Sequence, residues 1–381
     1  MTSLVVCSKS AWIPSMRREH ALTLAAAERG IDVVFIESPA DVRSVRNGSA
    51  TEFARGFVGH SDDNAHDGLR VVHRSTPAPG HRGRISEAVD VALLRRIIGT
   101  TSDTDSPLVC NLPWQWAATA SGRHRRVFDC ADDWTQLFPS SRTRRLTEHF
   151  ARIAVEADEV IVASPDLAPL FPGRDVVVVP NGADASAIPS AVNPPPGRNT
   201  MVYVGTFSER FDAPLVAELL RALPDWRLDL YGPCGYAGRG DRPAPELSSL
   251  LAEFEDRVRW HGTISRAEVP AAIDAGDVVI VPNRIRMSHG QSSMKLFDGA
   301  ARGRPAVVAL GVATGASESP PGTYVAANAG EWVDAVRAAS TEEAGLIEAR
   351  IAWARSNTWS ERWPAWSAGV FGPSSATSAP S

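Results

Sequence analysis

The segment SSMKLFD carries the residue types best suited to binding an anion. Ser292, Ser293, Met294 and Lys295 stand where a polar loop passes into a predicted helix. A helix N-terminus presents free N–H groups and partial positive charge, and a lysine adds a point charge that phosphates accept. Asp298 follows about one helical turn later and can reach a sugar hydroxyl pair beside such a phosphate. The alternative is an ordinary capped surface helix with an exposed carboxylate.

Three more polar strand ends occur in the same half of the chain. In VGTFSERFD a predicted strand stops at Gly205, where a glycine permits close backbone approach. Thr206, Ser208 and Arg210 follow it and can donate hydrogen bonds to a diphosphate. The other two strand ends are LYGP and WHGT. Neither G-x-G-x-x-G nor G-x-x-x-x-G-K-[ST] occurs, which disfavours a nicotinamide dehydrogenase and a P-loop NTPase.

A run of acids stands at a strand end in the first half of the chain. RVFDCADDW places Asp129, Asp132 and Asp133 at or just beyond that end. Three carboxylates so close together repel one another, which is unfavourable unless they serve hydrogen bonding or catalysis. We therefore expect Asp132 or Asp133 to bind a hydroxyl or to act as a general base. A helix N-cap followed by a solvated loop acid is the alternative.

Aromatic and basic residues follow other strand ends of the first half. Indole rings have an apolar body and a polar edge, and they stack on sugar faces or cations. We expect a wall that contacts a second substrate, with packing at a domain interface as the alternative for some rings. The candidates are Lys9, Trp12, Arg18, His20, Trp114, Trp116 and Trp134. The spacing of Trp359, Trp363 and Trp366 instead predicts a helical stripe in the core.

Short β-branched runs alternate with longer segments of helical period along the chain. This alternation predicts parallel βα units with helices on both sheet faces. The pattern breaks at NGADASAIPSAVNPPPGRN, whose prolines and small residues indicate a linker. The predicted strands are 4–7, 32–37, one within 67–75, 107–112, 126–130, 159–164 and 175–180 before the linker, and 200–205, 227–232, 257–262, 277–282 and 305–310 after it.

We therefore expect an α/β protein of two doubly wound, Rossmann-like domains. Such sheets bind ligands at the carboxyl ends of their strands, so two facing sheets would form a cleft that holds two substrates. The expected first domain spans 1–182, the linker 183–199 and the second domain 200–356. A helix at about 359–371 is expected to pack back on the first domain, and 373–381 to form a disordered tail.

The composition argues against several other classes of protein. The formal charge of the 381 residues is −5, without the basic run expected of a nucleic-acid or anionic-membrane surface. No apolar stretch predicts a transmembrane helix, and no secretion signal is evident. Four widely spaced cysteines without a C-x-x-C pair suggest buried thiols in a cytoplasmic protein. The chain has 37 arginines and only two lysines, Lys9 and Lys295. We therefore expect these two lysines at places where a compact ammonium is needed and a planar guanidinium does not fit.

Several of these motifs together resemble a known family. VVVVPNGAD, YVGTFSERFD, VRWHGTISRAEV and SSMKLFDGAARGRPAVV are similar to the GT-B glycosyltransferases of the family 4 type, closest to the branch resembling teichuronic-acid biosynthesis glycosyltransferases. The resemblance covers most of the chain and is strongest over 157–310. It implies a GT-B fold whose second half binds a nucleotide-diphosphate sugar and whose first half binds an acceptor. Transfer in that family is usually retaining and metal-independent.

The resemblance also implies roles for single residues. Arg210 and Lys295 would bind the diphosphate, and Asp298 stands where the family usually has a ribose-binding glutamate. The family's second acid would lie near Gly290, where none occurs, and His289 is a suggested substitute. The candidate nucleoside-binding residues are Tyr231, Gly232, His261, Gly262, Thr263 and Asp298.

We therefore predict a cytoplasmic transferase that needs no cofactor or metal. Its acceptor would be a small molecule or a lipid-linked cell-envelope precursor, in natural-product or cell-wall biosynthesis. A sugar-nucleotide epimerase or phosphorylase on the same fold and a degenerate, non-catalytic partner protein stay open as alternatives. The sequence names neither the base nor the sugar of the donor, and it does not give the oligomeric state.

Overall fold

The protein is described here by a computed structural model, and the chain divides into two compact units. The described residues are 3–12, 16–41, 53–54, 56, 61–101, 105–120, 122–234, 242–312 and 319–372. Unit 1 comprises Met1–Pro180 and Arg362–Ser381, and unit 2 comprises Asn181–Glu361. The tail predicted to be disordered, 373–381, lies outside the described residues.

Most of the parallel strands are short and rich in valine and other apolar residues, as strands buried on both faces require, whereas those at Ala40–Asp41, Ser61–His66 and Ser75–Thr76 are mainly polar. Those of unit 1 are β1 (Ser3–Cys7), β2 (Asp32–Ile36), β3 (Ala40–Asp41), β4 (Ser61–His66), β5 (Leu69–Val72), β6 (Ser75–Thr76), β7 (Leu108–Cys110), β8 (Arg126–Cys130), β9 (Glu159–Val162) and β10 (Val177–Val178). Those of unit 2 are β11 (Thr200–Val204), β12 (Arg227–Tyr231), β13 (Val258–Trp260), β14 (Val278–Val281), β15 (Ala306–Ala309) and β16 (Thr323–Ala326).

Helices connect most of these strands. They are α1 (Arg18–Ala27), α2 (Arg84–Thr101), α3 (Trp134–Leu137), α4 (Ser140–Glu156), α5 (Ala213–Ala222), α6 (Pro245–Glu253), α7 (Val269–Asp274), α8 (Met294–Ala301), α9 (Ala329–Ser340), α10 (Gly345–Arg355) and α11 (Trp359–Phe371). Short 3-10 turns lie at Gly80–Arg82, Pro113–Ala120, Pro165–Leu170, Ala185–Ala187, Arg266–Glu268 and Ile285–Met287. Within the described part of the chain, no helix combines the length and the apolar character needed to cross a membrane.

The main sheet of unit 1 has the strand order β10-β9-β8-β7-β1-β2-β5-β4. All its pairs are parallel except that of β4, an antiparallel edge strand. The strands β3 and β6 form a separate pair. On one face the rings of Phe128, Phe150 and Phe171 pack together, with centroids 5.4 to 6.2 Å apart. The order reverses between β1 and β7, so the loops after these strands diverge and leave space at the sheet edge.

The sheet of unit 2 has six parallel strands in the order β13-β12-β11-β14-β15-β16. Here the order reverses between β11 and β14, which is where open α/β sheets bind ligands. Tyr203, Phe207 and Phe211 pack beneath this point, with ring centroids 4.9 to 5.2 Å apart. The residues that follow β11 and β14 are therefore the first candidates for a site in unit 2.

The predicted α/β architecture of two doubly wound sheets is confirmed. Each predicted strand overlaps an observed one, which is often shorter because the last residues turn away into loops. The edge strand β16 and the helix α6 are not predicted, because β16 is half exposed and α6 is short and lacks a clear periodic pattern. All four cysteines are buried free thiols, as expected.

A buried polar cluster ties α1, β8 and α11 together within unit 1. Arg18 places Nη2 2.9 Å from Oδ1 of Asp129, and its Nη1 donates to the carbonyl of Val179 at 2.7 Å. Nε1 of Trp366 donates to Oδ2 of Asp129 at 3.1 Å. None of these three side chains is more than 3% exposed. The carboxylate charge is therefore compensated by these protein groups, and α11 is held at the end of β8 by them.

Asp129→Ala is expected to destabilise unit 1 by about 3–5 kcal/mol, because it leaves the Arg18 guanidinium buried without its partner. Glu148→Ala is the control, since it removes the partner of Arg144 in a pair whose side chains are 88% and 54% exposed. That change should cost less than about 0.5 kcal/mol. Urea unfolding followed by tryptophan fluorescence measures both, and equal losses would contradict the structural role of Asp129.

Candidate functional site

Three glycines close the carboxyl ends of β11, β12 and β13 in unit 2. Gly205, Gly232 and Gly262 have positive φ angles of 154°, 130° and 75°. The N–H of Gly205 donates to the carbonyl of Tyr231 at 2.9 Å, and the N–H of Gly232 donates to that of Gly262 at 2.7 Å. A Cβ on Gly232 would collide with the carbonyl oxygen of Gly205. Glycine is therefore required at position 232, where the ends of β11 and β12 contact each other through backbone atoms.

Lys295 occupies the space that the missing side chain of Gly205 leaves. A Cβ on Gly205 would lie 2.9 Å from Nζ of Lys295. The ammonium also lies over the ring of Tyr203, 5.1 Å from its centroid. The hydroxyl of Tyr203 donates to the carbonyl of Thr206 at 3.0 Å, which anchors the ring to the loop after β11. A cation is thus held beside exposed backbone groups, an arrangement that suits an anionic ligand.

The N-terminus of α8 adds free donors beside Lys295. Ser293 is its N-cap residue, and its buried hydroxyl has no hydrogen-bond partner within the described residues. Nδ2 of Asn181 donates to the carbonyl of Ser292 at 2.6 Å and fixes the approach to the helix. Met294 begins the helix, so the N–H groups of its first turn have no acceptor four residues earlier within the helix, and of these Leu296 donates to the carbonyl of Ser293 at 3.0 Å. An unused hydroxyl, free N–H groups and a lysine together are suited to a phosphate.

The loop after β11 holds the remaining predicted diphosphate contacts. Thr206, Ser208 and Arg210 are all partly buried. Oγ of Ser208 accepts a hydrogen bond from the N–H of Arg210 at 3.4 Å, and the N–H of Arg284 donates to the carbonyl of Arg210 at 2.7 Å. Because β11 and β14 are neighbouring parallel strands, this loop lies at the same sheet edge as the loop that leads into α8.

Tyr231 and His261 form a flat stack beside the glycines. Their ring centroids are 4.3 Å apart and their planes differ by 7°. Nε2 of His261 lies 2.7 Å from Oδ1 of Asp229, and Nε1 of Trp260 donates to the carbonyl of Gly232 at 3.0 Å. Burial and then the charge of Asp229 raise the pKa of Tyr231, so its hydroxyl stays neutral. Four predicted nucleoside residues are brought together here, namely Tyr231, Gly232, His261 and Gly262, and the fifth, Thr263, follows them in the chain.

The sixth predicted nucleoside residue, Asp298, is paired with Arg266. Nη2 of Arg266 donates to Oδ1 of Asp298 at 2.8 Å, and its Nε donates to Oδ2 of Asp184 at 3.3 Å. Burial opposes the charged guanidinium, but the two carboxylates outweigh it and raise the pKa of Arg266. The carboxylate of Asp298 is therefore held in place on α8 rather than exposed to solvent as a surface group.

In unit 1, Lys9 and Asp132 form an ion pair. Nζ lies 2.8 Å from Oδ2, and the side chains are 15% and 13% exposed. Burial lowers the pKa of Lys9, but Asp132 and Glu19 outweigh it, so the pKa is raised overall. For Glu19, burial raises the pKa, whereas Lys9 and His20 lower it, and the net shift is downward. Lys9 is thus a charged lysine that pairs with Asp132 beyond the ends of β1 and β8, and Glu19 of α1 adds a second negative charge nearby.

Asp133, the other predicted catalytic candidate, caps a helix. Its Oδ1 accepts a hydrogen bond from the N–H of Thr135 at 2.9 Å at the start of α3, and the residue is 7% exposed. This is the helix-cap alternative stated above for the acidic run. Asp132 instead pairs with Lys9, so the two acids have different partners.

Three other predicted acceptor residues lie near the start of unit 1. Trp12 packs against His20 and Phe35, with ring centroids 5.1 and 4.9 Å away. Nε2 of His20 lies 3.0 Å from the carbonyl of Ala11, which closes the loop after Lys9. Arg18 belongs to the buried cluster with Asp129. The structure places it in the interior of unit 1, whereas the sequence predicts an acceptor-facing position.

The predicted tryptophans after β7 and β8 separate into two environments. Trp114 and Trp134 pack edge to face at 5.2 Å, and Phe138 lies within 6.1 Å of both ring centroids. Trp134 is only partly buried and Trp114 is 6% exposed. Trp116 is 1% exposed and donates from Nε1 to Glu156 at 3.1 Å, so it is a core residue rather than part of a wall.

Several residues of these sites are not predicted from the sequence. Tyr203, Asn181, Asp184, Glu19 and Arg266 acquire their contacts through tertiary packing, and only the NGAD run around Asp184 carries a local signal. His289, the suggested substitute for the missing acid, is exposed. No group of three or more His, Cys, Asp or Glu side chains among the described residues is placed to hold a metal ion.

Part of the chain matches a known family, and nearly the whole chain resembles several solved structures. Residues 198–342, less than half of the chain, match the family described as Glycosyl transferases group 1. Sucrose-phosphate synthase from Thermosynechococcus elongatus is similar in structure, with a TM-score of 0.73 and 14% identity over 97% of this chain and 98% of that one. HepE of Anabaena, in complex with UDP and glucose, has a TM-score of 0.67 and 15% identity over 98% and 100%. No curated protein matches in sequence.

A third similar structure is the α,α-trehalose 6-phosphate synthase from Burkholderia multivorans. Its TM-score is 0.68, with 12% identity over 99% of this chain and 100% of that one. At such identities the likeness establishes the fold. The predicted GT-B fold is thus confirmed, and the family match together with these neighbours supports a glycosyltransferase of the GT-B type. The family 4 and teichuronic-acid assignments stay predictions.

Gly232→Ala is expected to destabilise unit 2 by about 1–3 kcal/mol, because the new Cβ collides with Gly205 and the φ of 130° is unfavourable for alanine. Gly99→Ala is the matched control, since a Cβ there meets nothing within 4 Å on an exposed face of α2. That change should stabilise by up to about 1 kcal/mol. Chemical denaturation of both variants checks the difference, and similar behaviour would refute the steric requirement at Gly232.

Proposed function

We propose that this protein is a glycosyltransferase that takes a sugar from a nucleoside-diphosphate donor bound by unit 2. The observation that carries the proposal is the placement of Lys295 against Gly205 at the N-terminus of α8, beside the glycine ends of β11 and β12. A diphosphate needs positive charge and close backbone N–H groups, and this site offers both without an intervening side chain.

The same groups explain how such a donor would react. Cleavage of the bond between sugar and phosphate leaves negative charge on the departing diphosphate. Lys295, Arg210 and the free N–H groups of α8 would stabilise that charge as it develops. The Tyr231–His261 stack would hold the flat base. HepE, which shares this fold, was solved with UDP and glucose, and this supports a nucleotide-sugar donor here. Retention at the anomeric carbon and independence of metal belong to the proposal.

We allocate the acceptor to unit 1, where Lys9 and Asp132 are paired after β1 and β8. The carboxylate of Asp132 would accept a hydrogen bond from the attacking hydroxyl group. The partly exposed ring of Trp134 would contact an apolar or sugar face of the acceptor. A small molecule and a lipid-linked envelope precursor both carry such hydroxyl groups. A cytoplasmic location fits the use of a nucleotide sugar.

A thermal-shift screen with UDP, GDP, ADP and dTDP tests the proposal, because a ligand stabilises the protein in proportion to its affinity and concentration. One diphosphate should raise the melting temperature. Incubation of the protein with the matching nucleotide sugar but no acceptor should leave the sugar unepimerised. Addition of inorganic phosphate should not release the sugar from the nucleotide. Epimerised product would favour an epimerase, and the absence of binding to all four diphosphates would overturn the assignment.

Lys295→Ala is expected to weaken binding of that diphosphate by about 10- to 100-fold, since a hydrogen bond to a charged group contributes about 1.5–3 kcal/mol. Lys295→Arg should also weaken it, because a planar guanidinium does not fit against Gly205 as the ammonium does. Arg221→Lys is the control, in an exposed pair with Glu253. Titration calorimetry measures all three, and normal affinity of Lys295→Ala would refute the site.

Asp132→Asn is expected to lower turnover by more than about tenfold while donor affinity changes by less than about twofold. Asp133→Asn is the matched control, because asparagine can still cap α3. Release of the diphosphate in the presence of a panel of hydroxyl acceptors gives turnover, and calorimetry gives donor affinity. If Asp132→Asn weakened donor binding alone, the allocation of donor and acceptor to the two units would have to be reversed.

A further inference from the structure

Arg266 lies between two carboxylates that come from distant parts of unit 2. Arg266 belongs to the turn Arg266–Glu268 after β13. Asp184 lies three residues after Asn181, the first residue of unit 2, and Asp298 lies on α8. The side chains of Arg266, Asp184 and Asp298 are 17%, 19% and 12% exposed. One guanidinium therefore meets two acids in a largely dry place, and the cluster has a net charge of about −1 at neutral pH.

The two acids differ in how many of their oxygens are engaged. Oδ1 of Asp184 accepts hydrogen bonds from the N–H of Ser186 at 3.0 Å and from its hydroxyl at 2.6 Å, and Oδ2 accepts from Arg266. Asp298 engages Oδ1 with Arg266 at 2.8 Å. Within the part of the chain that the structure describes, no donor contacts its Oδ2. Asp298 is thus oriented through one oxygen and has the other available as an acceptor.

The position of Asp298 suggests what that oxygen accepts from. It lies on α8 about one turn after Lys295, and Arg266 follows the loop that begins at His261. A nucleoside diphosphate has its ribose between phosphate and base. A ligand with its phosphates at Lys295 and its base at the Tyr231–His261 stack would bring ribose hydroxyls between these two elements, and the Asp298–Arg266 pair joins the same two elements, α8 and the segment that follows His261.

We propose that Arg266 is a positioning residue for the ribose of the donor, a proposal that rests on the donor site proposed above. Arg266 holds Oδ1 of Asp298 and turns Oδ2 toward the ribose diol. Asp184, which is itself anchored by Ser186, keeps the guanidinium from turning away. The surplus carboxylate charge makes the site a strong acceptor for hydroxyl donors and unfavourable for a phosphate on the ribose.

Calorimetry with matched ligands tests this role. UDP, GDP and ADP are each compared with their 2′,3′-dideoxy counterparts and with inorganic pyrophosphate. The wild-type protein should bind the ribose form of its preferred diphosphate at least about tenfold more tightly than the dideoxy form. Arg266→Gln should reduce that preference to less than about threefold and leave pyrophosphate binding unchanged. Asp298→Asn should do the same, and the double variant should lose no more than either single one.

Arg302→Gln is the matched control at the other end of α8. Arg302 donates from Nε to Asp274 at 2.9 Å, and their side chains are 13% and 19% exposed. This variant should keep the ribose preference whatever it does to the melting temperature. If Arg266→Gln does not fold, Arg266→Lys carries the test, because lysine keeps the positive charge but lacks the planar fork that bonds both acids, and it should reduce the ribose preference as well.

Three results would overturn the role of Arg266 in different ways. Equal weakening of ribose and dideoxy ligands in Arg266→Gln would mean that the residue is only structural. A wild-type protein without ribose preference would refute the ribose contact and leave the donor site standing. A wild-type protein that binds none of the three diphosphates would refute both the donor site and this proposal.

Discussion

Lys295 can lie beside the end of β11 because position 205 has no side chain, and this close approach brings its ammonium from α8 to the strand ends of unit 2. Gly232 extends the same constraint, since its N–H bonds to Gly262 and its Cα lies close to the carbonyl of Gly205. A side chain at either position would separate the strand ends, and one at position 205 would also displace the side chain of Lys295. The anion site thus depends first on a backbone arrangement, and Lys295 and Ser293 add their charge and hydroxyl to it.

The unequal use of lysine and arginine acquires a physical meaning in the structure. The buried arginines use the planar fork of the guanidinium to bond several acceptors at once, as Arg18 does in unit 1 and Arg304 does in unit 2. The two lysines of the chain both stand at the carboxyl ends of strands, where Lys9 meets Asp132 and Lys295 lies over Tyr203. A compact ammonium fits such narrow places because it needs no plane of free space.

The acidic run of unit 1 shows how neighbouring carboxylates can take separate tasks. Asp129 is buried with Arg18 and Trp366, where removing one partner would leave an uncompensated charge. Asp133 caps α3, and Asp132 points to Lys9. Their positions explain the division, because Asp129 lies within β8, Asp132 in the loop after it and Asp133 at the start of α3. The repulsion expected of three adjacent acids is relieved since each has its own partner.

The sequence by itself determined the alternating strands and helices and the glycine strand ends, and it singled out Lys295 as a candidate anion ligand, because these features follow from local composition and spacing. Only the tertiary structure decided that Arg18 and Trp116 are interior, that Lys9 pairs with Asp132, and that Arg266 holds Asp298. These pairs join residues far apart in the chain. Which charged side chain meets which acid depends on the packing of whole elements, and no local pattern carries that information.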